Sequence, residues 1–250
     1  MASHELTDTT ALVTGASRGF GRAVAVALRD AGANVVAVAR SAERLGKLRD
    51  QLGGSLATVA ADVADPVVAG SLLEQYRPKT LVLNAGAAPL MRPIQHHTWD
   101  TFSRNWEVDV RQTFHWLREA LLLPLAPHST VIAMSSGAAL FGSPLSGGYA
   151  GAKAAIRFIT AYAAEESSRA GLGIRFVSIL PKITPATDLG AAAAAAYARR
   201  DGIDVDEYLK TVGPGLEPEG VGRHLAHLAT STDHQPGAYV LTPQGLSLAP

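Results

Sequence analysis

The sequence predicts an α/β protein, a doubly wound, seven-stranded, mostly parallel sheet with helices on both faces. Three observations carry this expectation. Short, continuously apolar runs such as Ala11-Leu12-Val13-Thr14 and Val35-Val36-Ala37-Val38-Ala39 recur along the chain, as strands covered on both faces require. Between the runs, apolar residues return at helical spacing. The alternation continues through 250 residues without a break in composition, which argues for one domain, 1–250.

The first strand, Ala11 to Thr14, enters the glycine-rich segment Gly15-Ala16-Ser17-Arg18-Gly19-Phe20-Gly21. Val24, Leu28 and Ala31 then mark a helix that Gly32 can cap. The second strand, Val35 to Ala39, precedes a helix carrying Leu45, Leu48 and Leu52 and closed by Gly53-Gly54. A strand at Thr58 to Ala61, a helix from Asp65 to Tyr76 and a strand at Thr80 to Leu83 follow. Phe102, Trp106, Val110, Leu117 and Leu121 are expected to form one buried stripe on a long helix ended by Pro124. Val131 to Met134 is the fifth strand, Tyr149 to Arg169 a helix, Ile174 to Leu180 the sixth strand, and Ala238 to Leu241 the seventh. The connection Thr184 to Val212, with its six-alanine run Ala191 to Ala196, is too long for an ordinary loop, and reads as a substrate lid with its own weakly docked helix.

Lys plus Arg and Asp plus Glu number 22 each, so no net positive field favours nucleic acid as a partner. With no cysteine, the chain has no disulfide, thiolate metal site or cysteine nucleophile. Met1 to Thr10 lacks a basic segment followed by an apolar one, as a secretory signal would have. The longest small-apolar stretch, Leu189 to Ala198, is half of the roughly 20 residues a membrane helix needs, so a soluble, cytoplasmic protein is expected.

In the glycine segment, Gly15 closes the strand while Gly19 and Gly21 let the backbone approach a ligand at a helix N-terminus. A pyrophosphate fits there; a tight turn without ligand is the other reading. About twenty residues on, a site for NAD commonly presents an acid to the ribose. Here the second strand ends Val38-Ala39-Arg40, without one. Arg40 and Arg18 would suit a 2′-phosphate through charge-assisted hydrogen bonds, unless both are solvated surface arginines. NADP(H) is therefore favoured, with NAD(H) the alternative.

The segment Thr14 to Gly21, with Asp62-Val63, Asn84-Ala85-Gly86, Ser136 and Tyr149-Ala-Gly-Ala-Lys153, resembles the short-chain dehydrogenase/reductase family, Rossmann-type proteins, from about Thr9 to Leu241. Tyr149 alone of six tyrosines has a lysine four residues on, and Ser136 lies thirteen before it. Carbonyl reduction needs a hydride at carbon and a proton at oxygen, and a phenol with its ordinary pKa of about 10 is a sluggish proton donor and acceptor. Lys153, one helical turn from Tyr149, can stabilise the phenolate, and Ser136 can anchor the substrate oxygen.

The resemblance implies further roles. Gly15, Ser17, Arg18, Gly19, Phe20 and Gly21 form the cofactor turn, Asp62 and Val63 meet the adenine, and Asn84, Ala85 and Gly86 line the ribose. Tyr149 and Lys153 also hold the nicotinamide ribose, and Thr184 or Thr187 meets the carboxamide. Two positions depart from the family pattern. Asp109 stands where a catalytic asparagine is common, and Pro181-Lys182 replaces Pro-Gly beside the cofactor. The long helix holding Asp109 has a family counterpart that builds a dimer interface, so a homodimer or homotetramer is expected. His96-His97 and the pair His224 and His227 lack a third ligand at a metal spacing, and read as surface residues.

Two functions fit these residues. One is an NADP(H)-dependent oxidoreductase, a carbonyl reductase or alcohol dehydrogenase acting on a small ketone, aldehyde or secondary alcohol. The other is a dinucleotide-binding sensor or regulatory protein that keeps the fold and turns over little. The substrate itself is set by loop shapes that one sequence does not fix.

Overall fold

A computed structural model describes residues 6–53, 56–231 and 234–250. The amino-terminal stretch read for a signal lies outside them as far as Glu5, as does Gly54. In chain order the first half runs β1 (Thr10–Thr14), α1 (Gly19–Asp30), β2 (Asn34–Ala39), α2 (Ala42–Leu52), β3 (Leu56–Ala60), α3 (Pro66–Tyr76) and β4 (Thr80–Leu83). Then come α4 (Trp99–Asn105), a π-helical turn (Trp106–Val110), α5 (Arg111–Leu122), β5 (Thr130–Met134), α6 (Ala138–Phe141), α7 (Tyr149–Arg169) and β6 (Arg175–Pro181). The remainder is α8 (Asp188–Asp201), α9 (Val205–Val212), α10 (Pro218–Thr230), β7 (Gly237–Thr242) and β8 (Gly245–Leu248).

The strands form one sheet in the order β3-β2-β1-β4-β5-β6-β7-β8, parallel except for the last, antiparallel pair. The winding direction reverses between β1 and β4, and in such sheets the crevice at the reversal receives ligands. The expected seven strands are thus eight among the described residues. The eighth, β8, is a four-residue edge strand paired with β7 across a tight turn, and Leu248 on it is exposed, so it lacks the continuous apolar run that marked the others.

Alternation along each strand divides the core. Ala11 and Val13 of β1 face a cluster with Val24 and Leu28 of α1, Leu45 and Leu48 of α2, and Val221 and Leu225 of α10. Leu12 faces the opposite layer, where Leu72 and Leu73 of α3 and Trp116 and Leu117 of α5 pack. Leu28 and Leu73 are almost wholly buried, and truncating either to alanine typically costs about 2–5 kcal/mol.

The single long helix expected from Phe102 to Leu121 is broken. The π-turn at Trp106–Val110 adds a residue to one turn and rotates the face that follows; Trp106, at its start, is 40% exposed, while Trp116, Leu117 and Ala120 beyond it carry the burial. The Thr184 to Val212 connection holds two helices, and Ala193, Ala194 and Ala198 of α8 are buried. Thr187 caps α8 by accepting the Gly190 N–H at 3.2 Å, and Tyr197 meets the Ser143 hydroxyl at 2.5 Å. The connection is therefore docked more firmly than its alanine content suggests.

Candidate active site

At the sheet reversal, Gly15 and Gly19 adopt positive φ, 66° and 53°. A Cβ on Gly21 would sit 2.3 Å from the Gly15 carbonyl oxygen and 2.4 Å from Asn84 Nδ2, so only glycine lets α1 start this close to the strand ends. No side chain caps α1, which leaves its first N–H groups directed into the turn. Ser17 is half-buried, and Phe20 packs against the core cluster under α1. The Ala16 N–H donates to the Val38 carbonyl, which fixes the turn beside the end of β2. There Arg40 is exposed and enters no ion pair among the described residues. Arg18 is not free: its guanidinium donates to Asp188 of α8 at 2.7 Å.

A polar network ties β1 to β4. The Asn84 and Ala85 N–H groups donate to Thr14 Oγ1 at 2.9 and 3.1 Å, and that hydroxyl donates to Gln112 Oε1 at 2.7 Å. Asn84 Nδ2 donates to the Thr14 carbonyl, and Gln112 Nε2 to the Ala85 carbonyl. Val63 is buried and its carbonyl accepts from Trp116 Nε1 at 3.0 Å, while exposed Asp62 turns back on the Ala64 N–H.

The ends of β5 and β6 and the start of α7 hold Ser136, Tyr149 and Lys153, the residues expected to do acid–base chemistry. Ser136 follows β5, and its Oγ accepts the Ala138 N–H at 3.2 Å. Half-buried Tyr149 opens α7, preceded by Gly148, where a Cβ would lie 2.2 Å from the Phe102 carbonyl oxygen. The approach of α4 thus demands a glycine next to the tyrosine. Lys153 is 6% exposed, with Nζ 5.6 Å from the centre of the Tyr149 ring. Nζ donates to the Met134 carbonyl at 3.0 Å and lies 3.0 Å from Asp109 Oδ2. Asp109, 1% exposed within the π-turn, also accepts the Ala87 N–H on Oδ1 at 2.7 Å. Its main-chain carbonyl accepts from the Thr113 hydroxyl at 2.8 Å. Gly86 lies against the carboxylate, since a Cβ there would be 2.8 Å from Oδ2. Burial opposes the Lys153 ammonium, but Asp109 with Tyr149 outweighs it and holds the lysine above its ordinary pKa. Lys153 is a permanent cation at neutral pH, able to favour negative charge on a neighbouring phenol oxygen.

The Pro181 carbonyl accepts the Gly137 N–H, which brings Lys182, exposed, to the residue after Ser136. Thr184 is buried and donates to the Leu216 carbonyl at 2.7 Å, so its hydroxyl braces the α8 connection from within. His97 is half-buried between Thr101 Oγ1 and the Arg92 carbonyl, each at 3.2 Å. No group of three or more His, Cys, Asp or Glu side chains able to hold a metal occurs among the described residues.

Gln112, Asn105, Thr113 and Ser135 are site-supporting residues that sequence reading missed. Asn105 Nδ2 donates to the Ala87 carbonyl at 2.7 Å, and Ser135 Oγ to the Lys153 carbonyl at 2.7 Å. A signal existed for three of them. Asn105, Asp109, Gln112 and Thr113 recur at helical spacing, a buried polar stripe running beside the apolar one.

The sheet order and the glycine turn at its reversal define a doubly wound protein with a crevice where ligands of such sheets bind. Residues 9–198 match the family model described as short chain dehydrogenase, and the chain belongs to that family. A short chain dehydrogenase of Pseudocercospora fijiensis is 33% identical over 172 residues, 64% of this chain and 56% of that one. The L-xylulose reductase of Mesocricetus auratus is 38% identical over 101 residues, 40% of this chain and 41% of the other. The chain thus spans about half the length of these two relatives. Among solved structures, NAD+-bound xylitol dehydrogenase superposes with a TM-score of 0.82 at 19% identity, covering 94% of this chain and 98% of that one. L-sorbose reductase from Gluconobacter frateurii, complexed with NADPH and L-sorbose, gives 0.80 at 24% identity, covering 98% of both chains. These two likenesses establish the fold.

Proposed function

We propose that the chain is an oxidoreductase that interconverts a small ketone or aldehyde and the corresponding alcohol with a nicotinamide dinucleotide, preferring NADP(H). The carrying observation is the Lys153 ammonium, held by Asp109 and the Met134 carbonyl 5.6 Å from the Tyr149 ring; the glycine turn supports it, since α1 starts there with no side-chain cap on its first N–H groups. Gly15 to Gly21 would hold the pyrophosphate, Arg40 the 2′-phosphate, Asp62 and Val63 the adenine, and Asn84 to Gly86 with Lys153 the riboses. When bound, the cofactor supplies or accepts a hydride at the substrate carbon.

In reduction Tyr149 donates its phenol proton to the oxygen that gains negative charge, leaving a phenolate that regains a proton from solvent. Lys153 stabilises that phenolate electrostatically, and Ser136 positions the substrate oxygen by hydrogen bonding. The connection 184–212 acts as a lid over the substrate. Exposed Phe114, Leu122, Phe158 and Tyr162 on α5 and α7 support association into a homo-oligomer. Names among the relatives, such as L-xylulose reductase, support a small polar carbonyl substrate without selecting one.

Incubation with NADPH and a carbonyl panel, beside a cofactor titration, tests the reading. Tyr149→Phe is expected to keep cofactor affinity and lose nearly all turnover; unchanged turnover would move catalysis elsewhere. The buried Asp109–Lys153 pair, which engages the lysine, favours a second reading, a dinucleotide-binding sensor. Tight cofactor binding without turnover across the panel is its expected signature.

A further inference from the structure

The cation that sequence assigns to a 2′-phosphate already has a partner. Arg18 Nη1 contacts Asp188 Oδ2 at 2.7 Å, joining the glycine turn to the first turn of α8. A second contact supports the same closeness, since a Cβ on Gly19 would lie 3.8 Å from Thr187 Cγ2. Both charged side chains are largely solvent-exposed, 58% and 80%, so the pair exchanges partners readily. Arg40, a second cation at the end of β2, has no acidic partner among the described residues.

We propose that Asp188 is a specificity-determining residue for the cofactor, competing with a 2′-phosphate for the Arg18 guanidinium and thereby weakening the preference for NADP(H) over NAD(H). The proposal rests on the dinucleotide reading above. A phosphate monoester carries up to about two negative charges near neutrality, so it draws Arg18 away from a single carboxylate, but must first displace it. NADH presents only hydroxyls there and leaves the Arg18–Asp188 pair intact. The competition therefore acts on one cofactor and not the other. Because the two equilibria are linked, closure of α8 onto the turn and capture of a 2′-phosphate by Arg18 disfavour each other by the same factor.

Dissociation constants for NADPH and NADH, measured by titration calorimetry on the parent, Asp188→Asn, Arg18→Ala and the double variant, test this. Asp188→Asn is expected to tighten NADPH by about two- to fivefold, the range an exposed ion pair supplies, and to leave NADH unchanged. In the Arg18→Ala background the same substitution should have no effect on NADPH. The proposal is overturned if Asp188→Asn leaves NADPH unchanged, tightens both cofactors equally, or acts as strongly without Arg18. The underlying cofactor reading fails differently. Equal affinities in the parent, unaltered by Arg40→Ala, remove the NADP(H) preference, while the effect of Asp188→Asn on NADPH remains measurable by itself.

Discussion

Two ion pairs of similar length lie near the carboxyl ends of the strands, and they differ in everything that matters physically. Asp109 and Lys153 meet at 3.0 Å with side chains 1% and 7% exposed, each holding a further main-chain hydrogen bond. Arg18 and Asp188 meet at 2.7 Å in solvent. Water lost to the first pair is replaced by fixed partners, so removing one member strands a buried charge. The second pair gives up little by opening, because water and salt replace each partner. Distance alone does not separate a structural ion pair from an exchangeable one; burial and supporting hydrogen bonds do.

The largest expected effect is at the buried pair. Asp109→Ala leaves the Lys153 ammonium uncompensated and the Ala87 N–H without its acceptor, and should cost about 3–5 kcal/mol, roughly 10 °C in melting temperature. Asp109→Asn keeps an acceptor for the N–H but also leaves the ammonium without its countercharge, and should cost less than the alanine variant. The sign with pH follows from the raised pKa of Lys153. Stability conferred by Asp109 is fully present below the ordinary lysine pKa, and is lost as pH rises through the higher value in the folded protein. Denaturant melts of parent and variants at neutral and alkaline pH measure it. Equal stabilities at neutral pH would erase the distinction between the pairs.

Arg40→Asp comes next. It places a carboxylate at the end of β2, where the parent has a cation with no ion-pair partner among the described residues, and on the proposed NADP(H) preference it is expected to shift binding from NADPH to NADH. Binding titrations with each cofactor decide it, and a variant that still favours NADPH would place the 2′-phosphate elsewhere.

Much of this architecture was legible in the sequence because parallel strands leave continuous apolar runs, as at Val35 to Val38, and glycine turns leave spacing. The bounds of α7, Tyr149 to Arg169, agree with the sequence expectation because Gly148 and Gly171 lie close to its two ends. The π-turn was not legible. It coincides with a tertiary contact, since Asn105 and Asp109 both bind the main chain of Ala87, and helical periodicity carries no sign of that distant partner. Nor could periodicity reveal that Arg18 faces Asp188, 170 residues away, because both are exposed polar residues with no burial pattern. Site identity came from short motifs; the partners of those residues depended on packing.

A smaller effect concerns charge at the proposed proton donor. The Asp109 carboxylate lies against Lys153, and on the proposed mechanism it opposes the phenolate needed to take a proton from an alcohol while favouring the ammonium that stabilises it. These influences partly cancel. On the proposed mechanism the repulsion is expected to outweigh the gain, so Asp109→Asn should move the activity limb for alcohol oxidation to lower pH with the fold kept. Coincident pH–rate profiles would mean that the carboxylate acts on Lys153 alone.

The smallest effect should come from the exposed pair, measured as stability rather than as binding. Asp188→Asn removes one solvent-exposed ion pair and one acidic residue from the first turn of α8, while the Thr187 cap on Gly190 stays. Each lost term is worth at most about 1 kcal/mol in an exposed setting, and side-chain freedom regained by Arg18 offsets part of it. The net loss should be under ~1 kcal/mol, about 2–4 °C at most for a chain of this size. At 1 M salt the screening length falls to about 3 Å, so the difference between parent and variant should nearly vanish. The loss caused by Asp109→Ala should persist under the same conditions, because solvent ions do not reach a carboxylate that is 1% exposed. Melting curves of both variants at low and high salt make the comparison directly. A salt-resistant loss at Asp188, or a salt-sensitive one at Asp109, would show that burial is not what divides the two pairs.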